Sequence, residues 1–354
     1  MKIAQVAPLY ESVPPAKYGG TERVVSYLTE ELVRQGHEVT LFASGDSQSR
    51  AHLVPGCERA LRTDPKCHDP LACHIVMIEE VYRRISDFDV VHFHIDYVHF
   101  PVSSRTDSVH LTTLHGRLDL PELPSIYKIF PEEPVISISR AQRAPLPRVN
   151  WLATVHHGLP SNLYRACGDH EPYLAFVGRI SPEKGLDKAI EIARRAGMPL
   201  CIAAKVDKAD REYFETSIKP LLNDSSIEFL DEVGDKEKQR IIGRAAALLF
   251  PIDWPEPFGL VMIEAMACGT PVIAFRRGSV PEIVDHGATG FVVDNVDRAV
   301  EAVQNLSSFS RALCRQVFKR RFSATRMALD YLKQYEALQN RQEYGASIEV
   351  HPCL

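Results

Sequence analysis

The alternation of short β-type runs with helical patterns constrains the fold of this chain more than any other feature. Such alternation is typical of parallel sheets whose strands are joined by crossover helices. The strand candidates of the first half are 2–7, 38–43, 90–94, 109–114, 134–139 and 151–156. Those of the second half are 173–178, 200–204, 227–230, 247–250, 271–275 and 290–293. The sequence therefore predicts an α/β protein with two parallel sheets.

The two halves predict two Rossmann-like domains, 1–160 and 170–323, which suits a chain of 354 residues. The stretch 157–172 between them is rich in glycine, proline and polar residues, lacks periodicity and is interpreted as a linker. The last helical pattern, 324–341, has no strand after it and could pack back across the junction. Open sheets of this kind bind ligands beyond the carboxyl ends of their strands, so a ligand cleft between the domains is expected.

Charge and short motifs limit the kinds of partner that this protein is expected to bind. A net charge of −5 gives no reason to expect nucleic acid as a partner. The basic run 318–322 could touch acidic lipid or could simply be a solvated helix face. The apolar run at the N-terminus is too short for an export signal or a membrane span, which favours a cytoplasmic protein.

His92 and His94 alternate on one strand without the further ligands of a zinc signature, so no metal is expected. No G-x-G-x-x-G follows the first strand, which argues against a nicotinamide dehydrogenase.

Two loops at strand ends suggest a site for phosphate. Gly19 and Gly20 stand where a strand passes into a helix, where they would let a ligand approach the backbone or simply form a turn. Arg179 and Lys184 lie in the loop predicted to follow a strand ending at Gly178. Two cations beside a helix N-terminus could bind a phosphate or could be surface charges.

His115 follows another buried strand, 109–114. There it could hydrogen-bond a hydroxyl group, stabilise developing positive charge, or serve only as a packed structural residue.

A helix predicted over 259–268 is apolar on every side and yet carries Glu264 in its middle and Glu256 just before it. A carboxylate left without a partner in such surroundings would cost several kcal/mol. A ribose diol from a bound nucleotide or a structural arginine would satisfy Glu264. The amides at the start of this helix are free hydrogen-bond donors; they belong to Phe258, Gly259 and Leu260.

Four motifs together resemble glycosyltransferase family 4, a family of retaining enzymes with the GT-B fold. The E-x7-E motif of that family is similar to "EPFGLVMIE" (256–264), and its diphosphate loop to "GRISPEKG" (178–185). Its first glycine loop resembles "YGGTERVV" (18–25), and its acceptor-side histidine loop "TTLHGRLD" (112–119). The motifs occur in the order of the family and span nearly the whole chain.

The resemblance implies roles for the residues singled out above. Arg179 and Lys184 would hold the donor diphosphate, helped by the amides of the 258–260 segment, and Gly20 would let the first loop close on the phosphates. Glu264 would bind the ribose hydroxyls, and Glu256 the hydroxyls of the donor sugar. The resemblance places His115 and Asp96 on the acceptor side.

It also implies a function: transfer of a hexose from a nucleoside-diphosphate sugar to a hydroxyl group, with retention and without a metal ion. UDP-glucose is the expected donor, from its frequency in the family, and the acceptor could be a small alcohol, a saccharide or a lipid. Two alternatives stay open, a nucleotide-sugar epimerase of the same fold and an inactive sugar-nucleotide-binding subunit. One departure concerns the base pocket, where Asp231 stands in place of the usual glycine.

Overall fold

The computed structural model describes residues 1–17 and 19–348, without the side chains of 308 and 343–348. Within these residues the strands are β1 (Lys2–Val6), β2 (Glu38–Ser44), β3 (His52–Cys57), β4 (Val90–Phe93), β5 (His110–Leu114), β6 (Val135–Ser137), β7 (Trp151–Thr154), β8 (Leu174–Ile180), β9 (Leu200–Val206), β10 (Ile227–Leu230), β11 (Ala247–Phe250), β12 (Val272–Phe275) and β13 (Gly290–Val293). The α-helices are α1 (Gly20–Arg34), α2 (Pro70–Arg83), α3 (Phe100–Ser103), α4 (Leu123–Ile129), α5 (Leu186–Ala196), α6 (Arg211–Tyr213), α7 (Asp235–Arg244), α8 (Leu260–Cys268), α9 (Val280–Ile283), α10 (Val296–Gln304), α11 (Arg311–Arg321) and α12 (Ala324–Ile348).

The strands form two parallel sheets, as the alternation predicts. One has seven strands in the order β3-β2-β1-β4-β5-β6-β7, and the other six in the order β10-β9-β8-β11-β12-β13. In each sheet the first strand of the unit is central, and the order reverses beside it, between β1 and β4 and between β8 and β11. Such a reversal opens a crevice at the carboxyl ends of the strands, which is where polar side chains can meet a ligand.

The sequence prediction missed β3. This strand lies at the edge of its sheet, is only half buried and contains Pro55 and Gly56. Edge strands tolerate proline and need no continuous apolar run, so their sequences lack the signal that identified the buried strands.

The chain divides into two compact units by its contacts. The N-terminal unit consists of Met1–Gly158 together with the chain from Ala324 onward, and the C-terminal unit is Leu159–Ser323. Helix α12 therefore belongs to the N-terminal unit, where Tyr331 and Tyr335 are buried. The hydroxyl of Tyr335 lies 3.2 Å from the side-chain nitrogen of Gln5 on β1, which ties the helix to the central strand. Across the described helices, no stretch combines the length and the apolar character needed to span a bilayer.

The stretch 157–172 is not a free linker, which corrects the sequence interpretation. The chain passes between the units at Gly158 and Leu159, and the residues that follow pack onto the C-terminal unit. The amide of Leu159 donates to the carbonyl of Phe322 (2.9 Å), and Tyr164 is 1% exposed. Isolated apolar residues in irregular backbone carry no periodicity, so their burial was not visible in the sequence.

Candidate functional site

Arg179 lies on β8, which continues past Gly178 to Ile180 and so extends two residues beyond its predicted end. It sits opposite Lys205 in the register with β9. Its guanidinium is 2.7 Å from Glu183, and 3.9 Å and 3.8 Å from Asp207 and Asp210. An anion that reaches Arg179 would therefore exchange places with carboxylates, which costs part of its binding energy.

Lys184 and Glu256 come together in the structure. Lys184 ends a short turn before α5, and Glu256 lies in the loop between β11 and α8. The ammonium of Lys184 donates to Oε2 of Glu256 at 2.5 Å, and the indole nitrogen of Trp254 donates to the same oxygen at 3.0 Å. The ammonium also lies 5.0 Å from the centre of the Trp254 ring, a cation–π distance. Sequence reasoning missed Trp254, although it stands only two residues before Glu256.

Two neighbouring residues hold the backbone of the Glu256 loop in place. The amide of Ser279 donates to the carbonyl of Glu256 (2.9 Å), and its hydroxyl donates to the carbonyl of Phe258 (2.9 Å). Gly278 has a φ of +50°, and a Cβ there would lie 2.4 Å from the Glu256 carbonyl oxygen. Only glycine allows this approach, so the loop geometry depends on this segment.

The start of α8 has no side-chain cap. Gly259 caps the helix with a φ of +79°, and no side chain caps it. Phe258 is buried and Leu260 is the first helical residue. The predicted amide donors are thus at a helix N-terminus, where the macrodipole favours an anion.

Glu264 is buried in α8 and has protein partners. The sequence left open whether a bound ribose or a protein cation would pair with this carboxylate, and the structure provides a protein cation. The residue is 4% exposed. Its Oε1 accepts from the ammonium of Lys238 at 2.7 Å and from the hydroxyl of Tyr164 at 3.3 Å. The expected counter-ion was an arginine, and the structure supplies a lysine from α7 instead. Burial alone therefore does not require a nucleotide at Glu264.

The geometry nevertheless leaves one oxygen of Glu264 available. Among the described residues, both hydrogen bonds to this carboxylate end on Oε1, and none ends on Oε2. An ionised carboxylate can accept about four hydrogen bonds. Oε2 can thus accept from a ligand hydroxyl without breaking the ion pair with Lys238.

The first glycine loop leads into α1. Gly19 precedes the helix and is buried, and Gly20 is its exposed first residue. Tyr18, the first residue of the motif, lies outside the described residues. Glu22 is buried in the first turn, where desolvation raises the pKa of its carboxyl to about 6.

His115 lies directly after β5 in the N-terminal unit and belongs to a group of neutral imidazoles. Its Nε2 is 2.9 Å from Nδ1 of His94, and its ring stacks on that of His157 at 5.2 Å between centroids. Burial lowers the pKa of His115 to about 3. At neutral pH this side chain is therefore an uncharged hydrogen-bonding group.

Asp96 follows β4 with a left-handed backbone, φ +51°. The surrounding protein disfavours the charged form and raises the pKa of its carboxyl, but the side chain itself is exposed. Because water reaches the group, the effect on its charge is smaller than for an enclosed acid. Asp96 and His115 thus lie at the ends of the adjacent strands β4 and β5.

The remaining expectations concern metals and the basic run 318–322. In the described part of the chain, no three His, Cys, Asp or Glu side chains are arranged to hold a metal ion. Both nitrogens of His92 are engaged in hydrogen bonds to hydroxyl groups.

In the basic run 318–322, Phe318 and Phe322 are buried, and Lys319 and Arg320 are exposed.

Two family models match consecutive parts of the chain. The model described as Glycosyltransferase Family 4 matches residues 18–179, and the model described as Glycosyl transferases group 1 matches residues 166–315. An uncharacterized glycosyltransferase of Methanocaldococcus jannaschii is 27% identical over 338 residues, covering 83% of this chain and 85% of that protein. These matches span both units.

Solved structures agree with these matches. AviGT4, a glycosyltransferase involved in avilamycin A biosynthesis, superposes with a TM-score of 0.74 at 26% identity, over 96% of this chain and 98% of that one. HepE of Anabaena, solved in complex with UDP and glucose, has a TM-score of 0.72 at 18% identity, over 95% and 100% of the two chains, and shows the shared fold. The chain therefore belongs to glycosyltransferase family 4 and is a glycosyltransferase of the GT-B type.

Proposed function

We propose that this glycosyltransferase transfers a hexose from a nucleoside-diphosphate sugar to a hydroxyl acceptor, with retention of the anomeric configuration and without a metal ion. The observation that carries the proposal is the contact between Lys184, Glu256 and Trp254 in the loop before α8. It places a cation beside an anion of the loop that leads into α8, a helix without a side-chain cap. A donor sugar linked to a diphosphate needs a cation for the diphosphate beside a carboxylate for a sugar hydroxyl.

Charge development explains why Lys184 matters to the proposed reaction. The bond between the anomeric carbon and the phosphate oxygen breaks, and negative charge builds on the departing nucleoside diphosphate. An ammonium and helix amides placed beforehand stabilise that charge. For retention, the acceptor oxygen bonds to the anomeric carbon on the face that the phosphate leaves, and the departing phosphate oxygen takes the acceptor proton.

The two carboxylates have separate roles in this proposal. Glu256 exchanges part of its contact with Lys184 for hydroxyl groups of the donor sugar as the diphosphate arrives. Glu264 accepts from the ribose hydroxyls through Oε2 and keeps its ion pair with Lys238 on Oε1. Arg179 contributes to the diphosphate site after exchanging one of its carboxylate neighbours for phosphate oxygen.

The proposed donor is UDP-glucose, and the proposed acceptor is a compound with a hydroxyl group. UDP-glucose is the donor favoured by family frequency, and HepE, a protein of the same fold, was solved with UDP and glucose. His115 and Asp96 are assigned to the acceptor side, and the acceptor is a small alcohol, a saccharide or a lipid hydroxyl. Weak contact of the exposed Lys319 and Arg320 with acidic lipid, and a cytoplasmic location, remain part of the proposal.

Donor turnover tests the proposed function directly. Purified protein is incubated with a panel of nucleotide sugars, and the released sugar is followed by NMR from the first minutes. We expect slow hydrolysis of one donor, with the first sugar formed having the anomeric configuration of that donor. Release of the opposite anomer would contradict retention, and a new epimer of the intact nucleotide sugar would favour an epimerase. Absence of turnover and of binding across the panel would reject the proposal.

Glu264→Gln is expected to weaken nucleotide binding about 10- to 100-fold, because hydrogen bonds to a charged acceptor contribute about 1.5–3 kcal/mol. Lys238→Gln is the matched control, because it removes the other half of the same ion pair. If the pair were only structural, both variants would lose stability and neither would lose affinity. Calorimetric titration with UDP, beside thermal unfolding of both variants, separates the two outcomes.

Activity is expected to survive EDTA, because the proposed counter-charges are protein cations and helix amides. The measurement compares the rate of donor consumption after exhaustive chelation with the rate after adding back Mg²⁺ or Mn²⁺. A loss of most of the activity that either cation restores would show that a metal ion stabilises the leaving group.

A further inference from the structure

We propose that Gln5, acting through His94, fixes His115 as the tautomer whose Nδ1 is a bare hydrogen-bond acceptor for a sugar hydroxyl. Gln5 lies on the central strand β1 and is fully buried. Its Oε1 is 2.9 Å from Nε2 of His94, and Nδ1 of His94 is 2.9 Å from Nε2 of His115. All three side chains belong to the N-terminal unit. Gln5 and His94 are therefore positioning residues in this proposal.

The direction of each hydrogen bond follows from the amide oxygen of Gln5. A carbonyl oxygen only accepts, so Nε2 of His94 must carry the proton. A neutral imidazole carries one N–H, which leaves Nδ1 of His94 as an acceptor. That acceptor faces Nε2 of His115, so this nitrogen must donate, and Nδ1 of His115 is left with its lone pair. Burial lowers the pKa of both imidazoles below the usual range of histidine, which keeps both rings neutral.

The other side of Gln5 is consistent with the same orientation. Its amide nitrogen donates to the hydroxyl of Tyr335 at 3.2 Å, and that hydroxyl can then donate to Nδ1 of His92 at 2.8 Å. Nε2 of His92 in turn donates to the hydroxyl of Thr113 at 2.8 Å. Every hydrogen bond in this network has one donor and one acceptor. Rotating the Gln5 amide by 180° would reverse all of them and give three Nδ1–H tautomers, so the orientation of Gln5 decides the state of His115.

Nδ1 of His115 is the atom at which the network ends. It is buried and has no hydrogen-bond partner among the described residues. An unsatisfied buried acceptor is unfavourable, and a hydroxyl donor would relieve this cost. The ring cannot turn freely to find another partner, because it stacks on His157 with 14° between the planes. A bare nitrogen held in this way distinguishes a hydroxyl donor from a carbonyl or phosphate oxygen, which can only accept.

The tautomers can be measured on the whole protein without any ligand. Two-bond ¹⁵N–¹H correlation spectra of histidine-labelled protein distinguish Nε2–H from Nδ1–H rings, with His92→Gln and His115→Gln used only to assign signals. We expect His92, His94 and His115 all to be Nε2–H. An Nδ1–H signal for His115 in the unaltered protein would overturn the proposal.

Two variants separate positioning from general stability. Gln5→Met removes both polar atoms of the side chain at similar volume, and we expect the His115 signal to show a mixture of tautomers. Tyr331→Phe removes one hydroxyl at the far end of the same network, beyond Thr113, and should leave the His115 tautomer unchanged. A single Nε2–H form of His115 in Gln5→Met would refute the role of Gln5.

The identity of the group that binds Nδ1 rests on the proposed function and is tested separately. UDP-glucose is added to the labelled protein while binding is followed by calorimetry. We expect the Nδ1 resonance of His115 to move toward that of a hydrogen-bonded nitrogen as the site fills. Binding with an unmoved Nδ1 resonance would reject the sugar hydroxyl as its partner. Failure of every nucleotide sugar to bind would instead count against the proposed function and leave the tautomer result standing.

Discussion

Lys184→Ala is expected to reduce turnover at saturating donor by a factor on the order of a hundred or more. In the proposed reaction the Lys184 ammonium faces the charge that develops on the departing diphosphate, and one preorganised donor of this kind is worth about 10²–10³ in rate. The structure adds a second reason. Glu256 is 9% exposed and loses its cation in the variant, so its carboxylate would repel the incoming diphosphate.

Lys188→Ala is the matched control for this prediction. Lys188 lies in the first turn of α5, just after the turn that carries Lys184, and its ammonium pairs with Asp253 at 2.6 Å. The two lysine side chains are similarly exposed, 20% for Lys184 and 27% for Lys188. We expect Lys188→Ala to change turnover less than about threefold, with thermal unfolding measured for both variants. Equal losses of turnover in the two variants would show that net positive charge matters and that the position of Lys184 does not.

The sequence predicted the fold wherever a strand is buried on both faces. Strands such as β11 and β12 are continuous apolar runs, because helices cover both faces of a parallel sheet. The edge strand β3 and the stretch 157–172 were missed or misassigned for a common reason. Their burial depends on what packs against them. Neither segment has the periodic spacing of apolar residues from which burial can be predicted in a sequence.

The candidate site was predictable in its residue types and less so in its contacts. The position of Glu264 on an apolar helix correctly indicated that the carboxylate needs partners. The partners themselves, Lys238 and Tyr164, come from α7 and from the misassigned stretch, and no spacing in the sequence connects them with α8. Sequence reasoning placed Arg179 in a loop, whereas register pairing with β9 keeps it on a strand.

His92 on β4 and His94 directly after it show what a sequence pattern leaves undecided. Alternating His92 and His94 could indicate either metal ligands or buried neutral imidazoles. The deciding residues are Gln5 and Tyr335, which lie 330 positions apart in the chain. Long-range hydrogen bonding of this kind sets the protonation of a site, and it becomes visible only when the strands are assembled.

Lowering the pH from 7 to 5 is expected to destabilise the N-terminal unit strongly. His92, His94, His99 and His157 are buried there, and desolvation holds the pKa of each imidazole well below 6.5. A base whose pKa is lowered by folding contributes stability that is present above its unfolded pKa and is lost as the pH falls below that value. Each such group changes the free energy of unfolding by up to about 1.4 kcal/mol per pH unit.

Two carboxyl groups of the same unit act in the opposite direction. Folding raises the pKa of Glu22 and of Asp96, so each contributes stability as the pH falls through its folded pKa. Each offsets at most one proton. With one proton for each group, four buried imidazoles against two acids leave a net difference of two protons between the unfolded and folded chains. This difference corresponds to a loss of about 3 kcal/mol per pH unit between pH 6 and 5.

The C-terminal unit provides the internal control for this prediction. It contains only His170 and His286 of the 14 histidines, and neither is buried. The chain has 2 tryptophans, Trp151 on β7 and Trp254 in the other unit, so Trp254→Phe and Trp151→Phe each leave a reporter in one unit. Urea unfolding followed by tryptophan fluorescence at pH 7, 6 and 5 should show the Trp151 transition moving to much lower urea concentration than the Trp254 transition. Parallel shifts of both transitions would mean that the buried imidazoles are not the source of acid sensitivity, since only the N-terminal unit contains them.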